Sequence, residues 1–289
     1  MGVKNENQSA GLFCKGFSLS MGDWEEAGRC LDLIADAGFE GVEPTINTGA
    51  VPSPEHYWED ARELKRRADD LGLLIPSMRA GWTPWSTIPS PDAVQRREAL
   101  EHTKKACECL ATMDGQVLLV VPGQIDPDIS YYDHWKRVVE YGHQAGEIAE
   151  QFKIVIGLEN VEARFPLSIR EWIQLLDEID HPRVRMYLDV GNVVWLGLGF
   201  PEQWITFLDR RIGQIHFKDA EFGGNLRSLL EGEVNWRAVI EALHSIDYRG
   251  WILVEPTWYA AAPRRLSERL SRDLDAIFAL NSTYEELPR

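Results

Sequence analysis

The chain has 289 residues, 44% hydrophobic and 26% charged, and its 30 Lys and Arg stand against 46 Asp and Glu, a formal charge of −16. A chain this long buries a large core without staples, and its composition is too apolar for disorder. The acidic balance argues against a nucleic-acid partner, because that affinity comes largely from neutralising phosphates. The four cysteines, Cys14, Cys30, Cys107 and Cys109, form no Cys-x-x-Cys pair, which fits a reducing compartment better than a zinc ribbon or a disulfide framework. Met1–Gly11 is polar and lacks an apolar signal core, and the apolar stretches near Val117–Val121 and Val193–Phe200 are too short to span a bilayer. A cytoplasmic protein without membrane attachment is expected.

Short apolar runs alternate with longer amphipathic stretches from end to end. Leu12–Ser18 reads as a strand and Trp24–Ala37 as a helix, with Ala27, Leu31, Ile34 and Ala35 at helical spacing. The strand Phe39–Pro44 precedes the helix Tyr57–Leu71, and Leu73–Ser77 precedes Asp92–Thr112. Gln116–Val121 precedes Tyr132–Phe152, and Lys153–Glu159 precedes Ile169–Ile179. Val184–Asp189 precedes Pro201–Asp209, Ile212–Lys218 precedes Trp236–Ile246, and Trp251–Glu255 precedes Arg264–Leu280. Ser130, Ser168 and Asn235 stand where helix N-caps belong. Strict alternation implies a parallel sheet, and eight repeats in a chain of this length predict a closed (β/α)8 barrel rather than a doubly wound open sheet. No linker divides the chain, so residues 12–289 are expected to form one catalytic domain behind a flexible tail at 1–11.

Barrel enzymes draw their chemistry from the C-terminal ends of their strands. Four successive strand candidates end in ligand-type residues: Glu159 in Gly157-Leu158-Glu159-Asn160, Asp189 in Leu188-Asp189-Val190-Gly191-Asn192, His216 in Ile215-His216-Phe217-Lys218-Asp219, and Glu255 in Leu253-Val254-Glu255-Pro256. Their separations of 30, 27 and 39 residues are each about one βα unit. Adjacent strands lie roughly 4.8 Å apart, so side chains on one rim can converge on a point. Three converging carboxylates repel one another, and one divalent cation resolves the repulsion. Mixed carboxylate and imidazole ligands suit Mn²⁺, Mg²⁺, Co²⁺ or Zn²⁺. Taken singly, a strand-end Glu is more often an ion-pair partner, and Asp189 before Val-Gly-Asn has a turn residue as its alternative reading.

These four motifs resemble those of the xylose isomerase-like barrel superfamily of sugar and sugar-phosphate isomerases and epimerases. The resemblance covers nearly the whole chain and includes Gly38-Phe39-Glu40-Gly41-Val42-Glu43 at the second strand. It is strongest to the ketose 3-epimerase branch, which includes tagatose/psicose 3-epimerase-like and L-xylulose-5-phosphate 3-epimerase-like enzymes. It implies that Glu159, Asp189, His216 and Glu255 bind one divalent metal. It also implies that Glu159 and Glu255 form the acid–base pair of a metal-stabilised enediolate mechanism. Enzymes of that branch acting on free ketohexoses commonly carry His three residues after the Asp ligand, where this chain has Asn192. That departure tilts the expected substrate towards a phosphorylated ketose.

Further substrate-binding candidates surround this set. Lys218 lies two residues beyond His216 and so points to the same side of its strand. Its alternative is an ion pair with Asp219 or with a carboxylate on a neighbouring strand. Glu43 can reach a substrate hydroxyl or support a ligand from behind. Arg227, in the loop after the seventh strand candidate, can grip a phosphate or hydroxyl. Trp82, Trp85 and Trp195 are candidate walls for a sugar's apolar face, with Trp82 carried forward. The partner is then a small sugar or sugar phosphate, with a homo-oligomer left open. The main alternative keeps the fold and the metal but expels water, as an inosose or dehydroshikimate dehydratase does. An apurinic endonuclease-type nuclease needs additional metal ligands and a less acidic chain, and a non-catalytic barrel leaves the ligand set without a purpose.

Overall fold

A computed structural model describes residues 13–256 and 263–281, so the tail expected at 1–11 lies outside the described residues. The elements run β1 (Phe13–Ser18), α1 (Trp24–Asp36), β2 (Gly41–Glu43), β3 (Thr45–Ile46), α2 (Tyr57–Asp70), β4 (Ser77–Ala80), α3 (Ala93–Thr112), β5 (Val117–Val120) and α4 (Tyr131–Phe152). There follow β6 (Val155–Glu159), α5 (Ile169–Ile179), β7 (Val184–Asp189), α6 (Val190–Trp195), α7 (Pro201–Leu208), β8 (Ile212–Phe217), β9 (Asp219–Ala220), β10 (Leu226–Arg227), α8 (Trp236–Ser245), β11 (Gly250–Val254) and α9 (Pro263–Phe278). Ser130, Ser168 and Asn235 cap α4, α5 and α8, each accepting a backbone N–H three residues on. No helix among the described residues is long and apolar enough to cross a membrane.

Nine strands pair in the order β2-β1-β11-β8-β7-β6-β5-β4-β3, all in parallel. The two ends of that order, β2 and β3, are halves of one stretch interrupted at Pro44, which has no N–H to donate. β2 pairs with β1 and β3 with β4, while the Pro44 carbonyl accepts from the Arg79 N–H at 2.9 Å. Counting the halves as one strand, the sheet closes into an eight-stranded barrel, the (β/α)8 architecture that the alternation predicts.

One local expectation needs correction. The third strand lies at Ser77–Ala80, not Leu73–Ser77. Leu74 makes a single bridge to Gly41, and the ladder to β5 starts only after Pro76, at Ser77 opposite Val117. Asp189, for which a turn residue is the alternative reading, is the N-cap of the short helix α6.

Strand alternation divides the core in two. Leu118, Val120, Ile156, Leu158, Met186, Leu188, Ile252 and Val254 join the layer under the helices. The intervening residues Val117, Leu119, Tyr187 and Leu253, with Val155 and Trp251, form a separate cluster inside the barrel. Gly16, Gly41 and Gly157 make room for it. A Cβ on Gly16 would stand 2.8 Å from Leu253, and one on Gly157 2.9 Å from Tyr187. On Gly41 it would stand 2.6 Å from Trp251 and 2.9 Å from the Leu74 backbone oxygen. Continuing the inward parity to the C-terminal rim gives Glu159, Asp189, His216 and Glu255.

Gly41→Ala therefore overpacks the barrel floor against an oxygen that cannot rotate away. It is expected to lower stability by about 1–3 kcal/mol, read as a reduced urea midpoint. An unchanged midpoint would contradict this packing.

Candidate active site

The rim brings Glu159, Asp189, His216 and Glu255 together, and one ligand atom from each lies within 4.8 Å of all the others. His216 Nδ1 faces the carboxylates, 3.2 Å from Glu159 Oε1 and 3.9 Å from both Asp189 Oδ2 and Glu255 Oε2. Asp189 and His216 are fully buried, and Glu159 nearly so.

The other ring nitrogen is held from behind. His216 Nε2 lies 2.7 Å from Glu43 Oε1. Glu43 is fully buried and also accepts from the hydroxyls of Ser18 (2.7 Å), Ser77 (2.5 Å) and Tyr187 (2.6 Å). The Tyr187 ring meets His216 edge-on, 4.6 Å between centroids. With Nε2 committed to Glu43, Nδ1 is the nitrogen presented to the cluster, an arrangement that orients metal-ligating histidines generally. Glu43 thus sits beneath His216 with its oxygens engaged by the protein.

Asn160 fixes the backbone of Asp189. Its Nδ2 donates to the Asp189 carbonyl and its Oδ1 accepts from the Asp189 N–H, both at 2.9 Å. Asp189 Oδ1 in turn accepts the Asn192 N–H at 2.7 Å and starts α6. Asn192 donates through Nδ2 to the Asn160 carbonyl at 2.8 Å. Asn192 Oδ1 is buried and accepts no hydrogen bond from the protein, so it keeps its lone pairs for a ligand, whereas the equally buried Asp189 Oδ2 meets only the ammonium of Lys218 at hydrogen-bond distance. Gly191 lets α6 lie directly on Lys218, since a Cβ there would collide with the lysine stem and carbonyl.

Lys218 is buried on the rim, its ammonium 3.0 Å from Asp189 Oδ2 and 2.5 Å from Glu255 Oε2. Asp219, by contrast, points away and ties down the following loop through Ala220 N, Val234 N and Trp236 Nε1. From across the barrel, Arg79 pairs with Glu255 Oε1 while its Nε donates to Thr45 Oγ1 at 2.8 Å. Glu255 is therefore gripped by a cation on each oxygen.

These contacts set the charge states. Burial, reinforced by Glu255 and Asp189 against the pull of His216, pushes Glu159 up to about 7. Burial also raises Asp189 despite Lys218. Glu255 feels the same burial, yet Lys218, His216 and Arg79 overcome it and hold the carboxyl well below its ordinary range. Burial disfavours the imidazolium of His216, but Glu43 and Glu159 outweigh it and push the ring up to about 10. Three carboxylates and one imidazole nitrogen at this spacing suit a divalent cation that accepts oxygen and nitrogen ligands.

The remaining candidates lie further out. Arg227, on the β9–β10 hairpin, is ion-paired with Glu221 and borders a cavity shared with Lys218, Ser228, Glu255 and Pro256. Trp82 lies on the loop after β4, its ring 4.1 Å from that of His102 on α3 and its face under Lys105. Arg79, Asn160 and Tyr187 were not singled out from the sequence. Arg79 and Tyr187 share the inward parity of their strands, and Asn160 directly follows Glu159.

Residues 31–275 match the family model described as Xylose isomerase-like TIM barrel. A protein of Escherichia coli named L-ribulose-5-phosphate 3-epimerase SgbU is 27% identical over 262 residues, covering 86% of this chain and 88% of that protein. An inosose dehydratase of Geobacillus thermodenitrificans is 23% identical, covering 78% of this chain and 80% of that protein. The crystal structure of D-psicose 3-epimerase with D-tagatose from Clostridium cellulolyticum superposes with a TM-score of 0.78 at 20% identity, covering 93% of this chain and 99% of that one.

Glu43→Ala removes the partner of a buried imidazole and strands three hydroxyls. It is expected to cost about 3–5 kcal/mol, measured by chemical denaturation, with Glu43→Gln milder. A loss within about 0.5 kcal/mol, as at an ordinary surface position, would show that Glu43 does not hold His216.

Proposed function

The chain belongs to the Xylose isomerase-like TIM barrel family, and on that premise we propose that it is a divalent-metal-dependent 3-epimerase of a ketose or ketose phosphate. The observation that carries this reading is the convergence of Glu159, Asp189, His216 and Glu255 at one rim. When bound there, the ion would neutralise negative charge building on adjacent carbonyl and hydroxyl oxygens of the substrate.

The chain's own groups do the rest. Glu159 on β6 and Glu255, just beyond β11, reach the cluster from strands separated by β7 and β8. One carboxylate removes the proton from the carbon beside the ketose carbonyl, leaving an enediolate. The other delivers a proton to the opposite face, and the carbon inverts. Lys218 and the unsatisfied Asn192 Oδ1 are placed to hydrogen-bond substrate oxygens. Arg227, which borders a small cavity adjoining Glu255, is the group assigned to a phosphate on the far end of the sugar. The name of the Escherichia coli relative, which carries a 5-phosphate, favours the phosphorylated substrate.

A lyase is the second reading, supported by similarity to the inosose dehydratase. It shares proton removal but loses water from the resulting anion. A screen of free and phosphorylated ketoses in deuterated solvent separates the two. An epimerase places deuterium at the inverted carbon and keeps the substrate's elements, whereas a dehydratase yields a product lighter by one water.

On the substrate so found, Glu159→Gln and Glu255→Gln are each expected to lower turnover by at least about 10²-fold. Treatment with a chelator abolishes activity, and Mn²⁺, Mg²⁺ or Co²⁺ restores it. Near-normal rates in both variants would overturn the two-carboxylate mechanism, and full activity in the chelated protein would overturn the metal requirement.

A further inference from the structure

Lys218 follows β8 with its side chain turned inward, and its ammonium holds Asp189 Oδ2 and Glu255 Oε2. Those two oxygens are the ones that stand 3.9 Å from His216 Nδ1. A divalent ion among the four ligand groups draws on the same lone pairs, and at that separation it repels the ammonium strongly. The backbone and the base of the lysine stem cannot give way, because Gly191 packs directly on them. The outer part of the side chain is not so confined: Lys218 borders the cavity it shares with Arg227, Ser228, Leu229, Pro256 and Leu270.

We propose that Lys218 is an exchangeable internal counter-cation of the metal centre. It neutralises Asp189 and Glu255 until a divalent ion takes their oxygens, and the ammonium then turns into the adjoining cavity, where it meets an oxygen of the substrate. This rests on the metal centre proposed above and adds a consequence to it. Metal loading and recognition of the substrate's oxygens become linked, because the ammonium serves one or the other.

The test uses the full chain after chelation and titrates Mn²⁺ by calorimetry into wild type, Lys218→Met and Lys218→Arg. Lys218→Met is expected to bind Mn²⁺ about tenfold more tightly, since the competing charge is gone, and Lys218→Arg to stay close to wild type. In thermal melts, chelated Lys218→Met unfolds below chelated wild type, and saturating Mn²⁺ closes that gap. A lysine that only packs would lower both melts alike. Folded Lys218→Met that binds Mn²⁺ no more tightly than wild type overturns the proposal. In the wild-type protein, labelling of Lys218 by an amine-directed reagent, read by mass spectrometry, rises several-fold at saturating Mn²⁺, and unchanged labelling also overturns it. If wild type takes up no divalent ion at all, the metal centre itself falls.

Discussion

Three carboxylates within 4.8 Å of one another at the mouth of a barrel are the constraint to which the surrounding structure answers. Such a group is costly to bury unless cations meet it. The protein supplies them from three directions: His216 from β8, Lys218 from just beyond it, and Arg79 from β4 on the far side of the ring. Glu43 belongs to the same arrangement, because its charge favours a protonated ring at His216 and its position decides which nitrogen faces the cluster. The inward-facing rim thus carries a nearly balanced set of charges within a chain whose overall balance is strongly acidic.

That balance depends on the barrel being stiff below the rim. Tyr187 fills the interior beside Gly157 while its hydroxyl reaches Glu43, so one residue serves both the packed floor and the polar layer above it. Trp251 and Leu253 occupy the space that Gly16 and Gly41 leave open. Because every inward position on a strand is two residues from the next, a packing error in the floor propagates to the ligand above it. The Asn160 contacts apply the same principle at the rim, where Asp189 must end a strand and begin a helix within one residue.

Much of this is legible in the sequence because strand period and ligand chemistry coincide. Glu159, Asp189, His216 and Glu255 are polar residues closing apolar runs, and the barrel geometry converts that regularity into convergence. Arg79 escaped for a definite reason. With the third strand read as Leu73–Ser77, Arg79 falls in a loop, whereas the ladder that begins after Pro76 puts Ser77 and Arg79 on the inward face. The position of Glu43 was legible, but its partners were not. Ser18, Ser77 and Tyr187 come from three other strands, and strand pairing brings them together without any local sequence signal. Helix α6 was masked because Asp-Val-Gly-Asn satisfies turn chemistry as well as it satisfies an N-cap.

The substrate is harder to read than the chemistry, for a physical reason. The polar layer beneath the ligand groups is over-determined: Glu43 alone accepts from four side chains, and few other residues could replace it there. The rim beyond the ligands is not. Arg227 rides on a two-residue strand, its guanidinium satisfied by Glu221 in the same hairpin, and that hairpin is tied to the barrel through Asp219. An arginine so placed can exchange an exposed carboxylate for a phosphate without disturbing anything beneath it. Arg227, the group proposed above to meet a phosphate, therefore lies where the fold constrains the sequence least. The proton transfer proposed above would draw on the part that the fold constrains most.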